Sequence, residues 1–355
     1  MNLFLTGGAG YVGSACLRRL LKHGHEAIAY DNLSEGNRSA VPSSRLVVGD
    51  LSDVDAMVAA MRINKIDAVM HFAAAASVPE SIKDPEFYYR TNVLGTKNVL
   101  DAMRHAGVRR IIFSSTAATY GFHARMPMNE DTQQAPVVPY GTSKLAAEWL
   151  IKDYAHAYGM GYTIFRYFNA SGSDADGQHG EDRRCESHLI PLTLSVATGR
   201  KPKLLIYGDD YETRDGTCVR DYVHVDDIAQ AHQLAVESLE PGMGRAYNLG
   251  SGTGVTVLEV LRACEEEVGF PISHEIVDRR PGDPGVLIAS PRRAIQQLGW
   301  EPTYTNIRHI VATAWRWHCN HPNGYGSAPS STLVLPPAAV RDNAHGLLPE
   351  LCEKA

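Results

Sequence analysis

Thr6-Gly7-Gly8-Ala9-Gly10-Tyr11-Val12-Gly13 lies between a short apolar run, Leu3–Thr6, and a segment, Gly10–Lys22, whose apolar residues recur at helical spacing. Glycines at 7, 10 and 13 let a chain leave a strand, turn sharply, approach a pyrophosphate with its backbone and enter a helix packed close to the sheet. The helix start then offers free amides and the positive end of its dipole to phosphate. Such a triplet alone also fits a tight structural turn. Asp31, at the end of the next strand, narrows the choice. A carboxylate there accepts hydrogen bonds from a ribose diol and repels a 2′-phosphate, which favours NAD over NADP.

Outward from this loop the pattern repeats. Glu26–Tyr30, Arg45–Val48, Ala68–Phe72, Arg110–Ser114 and Thr163–Phe168 read as strands; Asp53–Asn64, Asn92–His105 and Tyr140–Tyr158 read as amphipathic helices. Strand–helix alternation predicts an α/β chain with a Rossmann-type, doubly wound parallel sheet. Residues 1–168 are expected to form the NAD-binding domain, joined by a returning segment near 217–250. Residues 169–323, with shorter elements and Gly/Asp/Pro-rich connections, are expected to form most of a smaller C-terminal α/β substrate domain. Residues 324–355 turn to Gly-Ser-Ala-Pro-Ser-Ser and Leu-Pro-Pro without periodicity and read as an appended, partly disordered tail.

In a doubly wound sheet the ligand lies at the carboxyl edge, where Asp50-Leu51 and Phe72-Ala73-Ala74 fall. Asp50 suits the adenine amino group, and the small Ala73 and Ala74 allow close backbone approach. Each of these also fits plain packing.

Composition closes off other classes. The chain has 355 residues, net charge −6 and no basic stripe, so a nucleic-acid partner is not expected. Six scattered cysteines without a CxxC, and histidines without ligand spacing, point to free thiols and no metal. A basic leader and a long apolar span are both absent, so a cytosolic location without membrane partners is expected.

Chemistry enters at Tyr140-Gly141-Thr142-Ser143-Lys144. Residues at i and i+4 share a helix face, so phenol and ammonium can converge. A tyrosine with a pKa near ~10 is a poor base at neutral pH, and a neighbouring cation favours its phenolate. The spacing alone also fits an ordinary helix. Behind a dinucleotide fingerprint, with Ser114-Ser115-Thr116 ending an upstream strand, it points to oxidation of a carbinol, Thr116 bonding the hydroxyl that Tyr140 deprotonates.

These segments together resemble the extended short-chain dehydrogenase/reductases and, within them, the UDP-glucose (UDP-galactose) 4-epimerases. Further matching pieces are Asp31-Asn32-Leu33, Phe113-Ser114-Ser115-Thr116, Tyr120-Gly121, Arg166-Tyr167-Phe168-Asn169, the stretch Gly216–Val225 and Arg279-Arg280-Pro281-Gly282-Asp283-Pro284, over Met1 to about Tyr325. The resemblance implies a homodimer packed through Asn92–His105 and Tyr140–Tyr158. It adds Tyr11, Val12, Asn32, Asn92, Ser114 and Tyr167 to the cofactor contacts, beside Tyr140 and Lys144. For a UDP-sugar it implies contacts from Thr116, Tyr140, Asn169, His188, Leu189, Tyr207, Arg220, Arg280 and Asp283. Arginines suit a pyrophosphate through their bidentate fork.

Related dehydratases carry Asp-Glu after the threonine, and the decarboxylase branch a Glu; here Ala117 and Ala118 stand there. What remains is oxidation and re-reduction at one carbon, as 4-epimerisation of a UDP-hexose requires: Tyr140 takes the proton of the 4-hydroxyl as NAD takes hydride, Lys144 lowers the phenol's pKa and holds the nicotinamide ribose, and a rotated 4-keto sugar is reduced on its other face. Three departures from the family pattern are Thr116 in place of Ser, Ala76 in place of Lys, and an intermediate-sized Leu287 at the sugar gate. The first bears on rate and the second on one cofactor phosphate contact; Leu287 leaves UDP-GlcNAc and UDP-pentoses open, and a 4-epimerase of UDP-glucuronate is a further alternative. A non-catalytic NAD sensor is the reading from another class, and retention of both Tyr140 and Lys144 counts against it.

Overall fold

The computed structural model describes residues 1–122, 125–280 and 283–326; Pro281-Gly282, Cys352 and the expected tail beyond Gly326 lie outside them. The first half runs β1 (Asn2–Thr6), α1 (Tyr11–Lys22), β2 (Glu26–Asp31), β3 (Leu46–Val48), α2 (Val54–Ile63), β4 (Ala68–His71), α3 (Val78–Lys83), α4 (Pro85–Tyr88), α5 (Gly95–Ala106), β5 (Arg110–Thr116), α6 (Pro139–Tyr158) and β6 (Gly161–Tyr167). The second continues with β7 (Asn169–Ser171), α7 (Leu189–Ala197), β8 (Leu204–Tyr207), β9 (Val219–Arg220), β10 (Tyr222–His224), α8 (Val225–Ser238), β11 (Gly244–Leu249), β12 (Val255–Thr256), α9 (Val257–Val268), β13 (His274–Val277), β14 (Val286–Leu287) and α10 (Ile307–Asn320).

Seven parallel strands form one sheet in the order β11-β6-β5-β4-β1-β2-β3. The chain winds outward from β1 in one direction, then restarts at β4 on β1's other side. That reversal opens a crevice at the carboxyl ends of β1 and β4. Alternation along β1 feeds both faces. Leu3 and Leu5 pack with Leu17, Leu20 and Ile228 on the α1/α8 side, while Phe4 packs with Met57, Val99, Met103 and Phe113 on the other. Each such buried side chain contributes roughly 1.5–3 kcal/mol, so the sheet is the rigid part of the molecule.

Two of the differences from expectation bear on the site, each for a local reason. The helix expected from Asn92 is preceded by a π-helical turn, Tyr89–Leu94, and regular α-helix begins at Gly95. That wider turn carries Asn92, whose amide bonds backwards to Ala75, donating to its carbonyl at 3.0 Å and accepting from its N–H at 2.8 Å. β5 runs two residues past its expected end because Ser115 and Thr116 pair with Arg166 and Tyr167.

Beyond β6, a second apolar cluster forms where Ile190, Leu194, Val260, Leu261, Ile310 and Val311 of α7, α9 and α10 cover Leu204 and Ile206 of β8. β9 pairs with β12 and β14 in a small separate sheet, with Leu287 opposite Arg220. Gly324–Gly326, expected to begin the tail, instead packs through Tyr325 against the core on the α1/α8 side of the large sheet. Its Tyr325 ring lies 4.7 Å from Trp317 and its N–H donates to Asp182 Oδ2 at 2.9 Å. No helix among the described residues is long and apolar enough to cross a membrane.

Candidate active site

At the crevice, Gly7 sits at φ +68°, and a Cβ there would lie 2.5 Å from the Ala73 nitrogen. Glycine lets the turn after β1 nest against the end of β4, where the Phe72 and Ala73 N–H groups both donate to the Thr6 carbonyl at 2.9 and 3.0 Å. A Cβ at Gly13 would meet the Gly7 oxygen at 2.3 Å, which seats α1 on the loop. Gly10 differs, with only the Gly7 oxygen near, at 3.3 Å, and Gly10 caps α1 without a side-chain bond. The open flank and free first-turn amides form a cradle for phosphate.

Asp31 accepts from the Ala9 N–H at 2.9 Å and the Leu33 N–H at 2.8 Å. Burial raises its pKa and these bonds oppose the rise. Its remaining lone pairs are available to a diol. Asn32 donates to Asp50 Oδ2 at 2.7 Å, and Asp50 also accepts from Ser52, which holds it below the usual carboxylate range. The Leu51 carbonyl accepts from Asn98, and Val12 packs into the core beneath the loop. The Tyr11 phenol reaches across to donate to the Gly172 carbonyl at 2.6 Å.

Pro139 occupies the first turn of α6, where its missing N–H costs nothing, and the helix runs on to a left-handed Gly159. Tyr140 therefore lies in the first turn and Lys144 one turn deeper. A Cβ on Gly141 would lie 2.4 Å from the Ala118 carbonyl oxygen, so glycine brings the helix against the end of β5. There the Thr116 side chain faces the Tyr140 phenol. Burial raises the phenol's pKa, opposed by the Thr116 hydroxyl and the Arg183 cation. Lys144 is 3% exposed, its Nζ 4.5 Å from the centre of the Phe113 ring, and burial lowers its pKa to about 7. Arg183, outside the expected set, is thus a further cation that acts on the phenol. The Tyr167 hydroxyl lies 2.7 Å from His232 Nε2, and the Ser114 side chain opposes the rise that burial gives this phenol's pKa. Asn92, expected at the cofactor, has its amide engaged by Ala75 and by Ser143 Oγ at 2.9 Å, tying the loop after β4 to α6.

On the opposite wall the expected contacts are partly paired with one another. Arg220 donates to Asp283 at 2.5 Å, and the Arg280 guanidinium lies 3.8 Å over the Tyr207 ring. Asn169 belongs to β7 beside Asp221, and Leu189 opens α7 after His188. His188 Nδ1 is 2.7 Å from Glu181 Oε1, and that carboxylate raises its pKa.

The match to the model of the NAD dependent epimerase/dehydratase family covers residues 3–250. The chain belongs to this family. A UDP-glucose 4-epimerase of Corynebacterium glutamicum is 49% identical over 89% of this chain and 95% of its own. The crystal structure of UDP-glucose 4-epimerase from Brucella ovis in complex with NAD is 45% identical, with a TM-score of 0.85 over 88% of this chain and 97% of that one. The enzyme of that name from Bifidobacterium longum, in complex with NAD+ and UDP, is 35% identical, with a TM-score of 0.87 over 91% and 100%.

Within this epimerase/dehydratase frame, residues outside the expected set stand close to the site. Glu181 and Glu186 join the expected His188, the ligand-type atoms of all three lying within 4.8 Å of one another, although Glu181 is already bonded by Arg183 at 2.6 Å. Burial and Glu181 push Glu186 up to about 7. Glu148, fully buried below Lys144, pairs with Arg166. The Tyr140/Lys144 spacing extended by one more turn, Tyr-x3-Lys-x3-Glu, was the available signal for Glu148. None existed for Arg183, which loop folding alone brings near Tyr140.

Proposed function

We propose that this chain interconverts UDP-glucose and UDP-galactose through a 4-keto intermediate, with NAD kept bound. The observation that carries this reading is the juxtaposition of the Tyr140 phenol on α6 with Thr116 at the end of β5, flanked by Ala117 and Ala118 where a second proton-transfer group would have to stand. The crevice fits the dinucleotide: the open flank at Gly10 and the uncapped α1 suit its phosphates, and Asp31 suits its ribose. When bound, NAD supplies the chemistry of removing hydride from carbon 4 and returning it. Tyr140 takes the 4-hydroxyl proton and gives it back, Thr116 orients that hydroxyl, and Lys144 adds positive charge beneath the phenol and bonds the ribose.

The proposed division of labour assigns the remaining cofactor contacts to residues 1–168 with the returning strand β11, and the UDP contacts to residues 169–323. Arg220 and Arg280 serve the diphosphate, and Asp283, Asn169, His188, Leu189 and Tyr207 the uridine end. The exposed Trp149 on α6 and Leu94 before α5 support a homodimer formed through these two helices. The thiols of Cys16, Cys218, Cys264 and Cys319, outside any disulfide, fit a reducing compartment such as the cytosol.

The test is a panel of UDP-sugars scored for 4-epimer formation. Interconversion of UDP-glucose and UDP-galactose without net NADH release is expected. Absence of turnover of both by NAD-loaded protein overturns the reading.

A further inference from the structure

The sheet and α6 bury one ion pair that the proposed chemistry leaves unused. Glu148 is 0% exposed and stands one turn beyond Lys144 on the face that carries Tyr140. Its Oε1 accepts from Ser115 Oγ at 2.6 Å and Arg166 Nε at 3.0 Å; Oε2 accepts from Arg166 Nη2 at 2.7 Å and Gln134 Nε2 at 3.1 Å. Arg166 is itself held by the Tyr120 hydroxyl at 2.9 Å, and Tyr120 donates to Asn248 at 2.6 Å. Three strands, β5, β6 and β11, are thereby tied to one carboxylate on the catalytic helix.

An ion pair in a dry interior gains little net stability over a well-packed apolar pair, because desolvation offsets the attraction. Its position suggests a different use. Ser115 immediately precedes Thr116, so a 2.6 Å bond from Ser115 to α6 fixes the strand end that carries Thr116 relative to the helix that carries Tyr140. Resting on the epimerase reading above, we propose that Glu148 is a positioning residue: it sets the distance between Thr116 and Tyr140 and preserves the charge of Lys144 in its apolar seat.

The surroundings of Lys144 support the second half. On its own helix the ionisable neighbours are Tyr140 and Glu148. From β4 comes His71, which burial drives down to about 3 and so leaves neutral. β5 contributes the Phe113 ring, and β6 contributes Arg166 on the far side of Glu148. Lys152 approaches Glu148 to 3.9 Å from the next turn. Glu148 is the negative group in this set that opposes the desolvation of Lys144.

The direct test is NMR titration of lysine side chains in 13C-labelled protein, with Lys144 assigned by the signal missing in Lys144→Met. Removing the carboxylate charge in Glu148→Gln leaves desolvation unopposed, so the Lys144 midpoint should fall by about one pH unit or more, and Glu148→Asp should shift it less. The alkaline side of the epimerisation profile should move down with it, because the cation is then lost at lower pH. Ser115→Ala retains the charge and should lower kcat by about tenfold, with KM and the Lys144 midpoint unchanged. A merely structural glutamate would lower Tm in Glu148→Gln and leave the midpoint in place, and that result overturns the proposal. Should Glu148→Gln not fold, an unmoved midpoint in Glu148→Asp does the same, and an unchanged kcat in Ser115→Ala removes the strand-positioning half. The titration does not depend on turnover, so an inactive parent enzyme would count against the epimerase reading alone.

Discussion

The two walls of the crevice are held by different forces. On the sheet side, Gly7, Gly13, Thr116 and Tyr140 are placed by backbone: parallel ladders, helix starts and contacts too close for a Cβ. On the opposite side, Arg220, Asp283, Arg280 and Tyr207 are placed by one another, as an ion pair and a cation over a ring. A backbone-built wall is the same with or without a ligand. With Arg220 assigned to the diphosphate as proposed, a wall of paired side chains exchanges partners when the ligand arrives, and part of the binding energy goes into breaking Arg220 from Asp283.

The sharpest way to break this contrast is Tyr140→Phe. It removes the phenolic proton from an otherwise unchanged wall, so kcat should fall by about a thousandfold with bound NAD unaltered, read by epimer formation and by NAD released on denaturation. Next comes Arg220→Ala, which should raise KM by about a hundredfold with kcat changed only a few-fold. Adding Asp283→Ala should recover part of the UDP affinity, seen by calorimetry, because the first change leaves an unpaired carboxylate facing phosphate. Gly13→Ala tests the backbone wall. Its Cβ would press on the Gly7 oxygen at 2.3 Å, so about 1–3 kcal/mol of stability should be lost in denaturant melts, together with NAD occupancy. The smallest effect is expected from Leu287→Ala, which should raise kcat/KM for UDP-GlcNAc relative to UDP-glucose by about tenfold, the scale of a change in apolar pocket volume.

The same contrast explains what could be read in advance. The glycine loop, Asp31 and the Tyr140/Lys144 spacing are local patterns whose geometry follows from one strand, one turn and one helix. They were legible because nothing distant is needed to place them. The π turn at Asn92 was not: its cause is a bond to Ala75, seventeen positions away. Nor was the pairing of Arg220 with Asp283, separated by sixty-three positions and brought together by the small β9/β14 sheet. Lys144 was expected to be the cation at the phenol. Burial lowers its own pKa to about 7, and Arg183 from a loop is a further cation that acts on the phenol. Sequence spacing conveys which residues share a face. It does not convey how dry that face is.

Leu287 and Arg220 are opposite rungs of one short ladder, β14 on β9, which shares no strand with the seven-stranded sheet. The proposed gate for the sugar and the proposed anchor for its phosphate therefore form a module that selection can alter without retuning the redox machinery. New substrate ranges would arise here by drift of a few side chains, while the hydride-transfer apparatus is inherited intact.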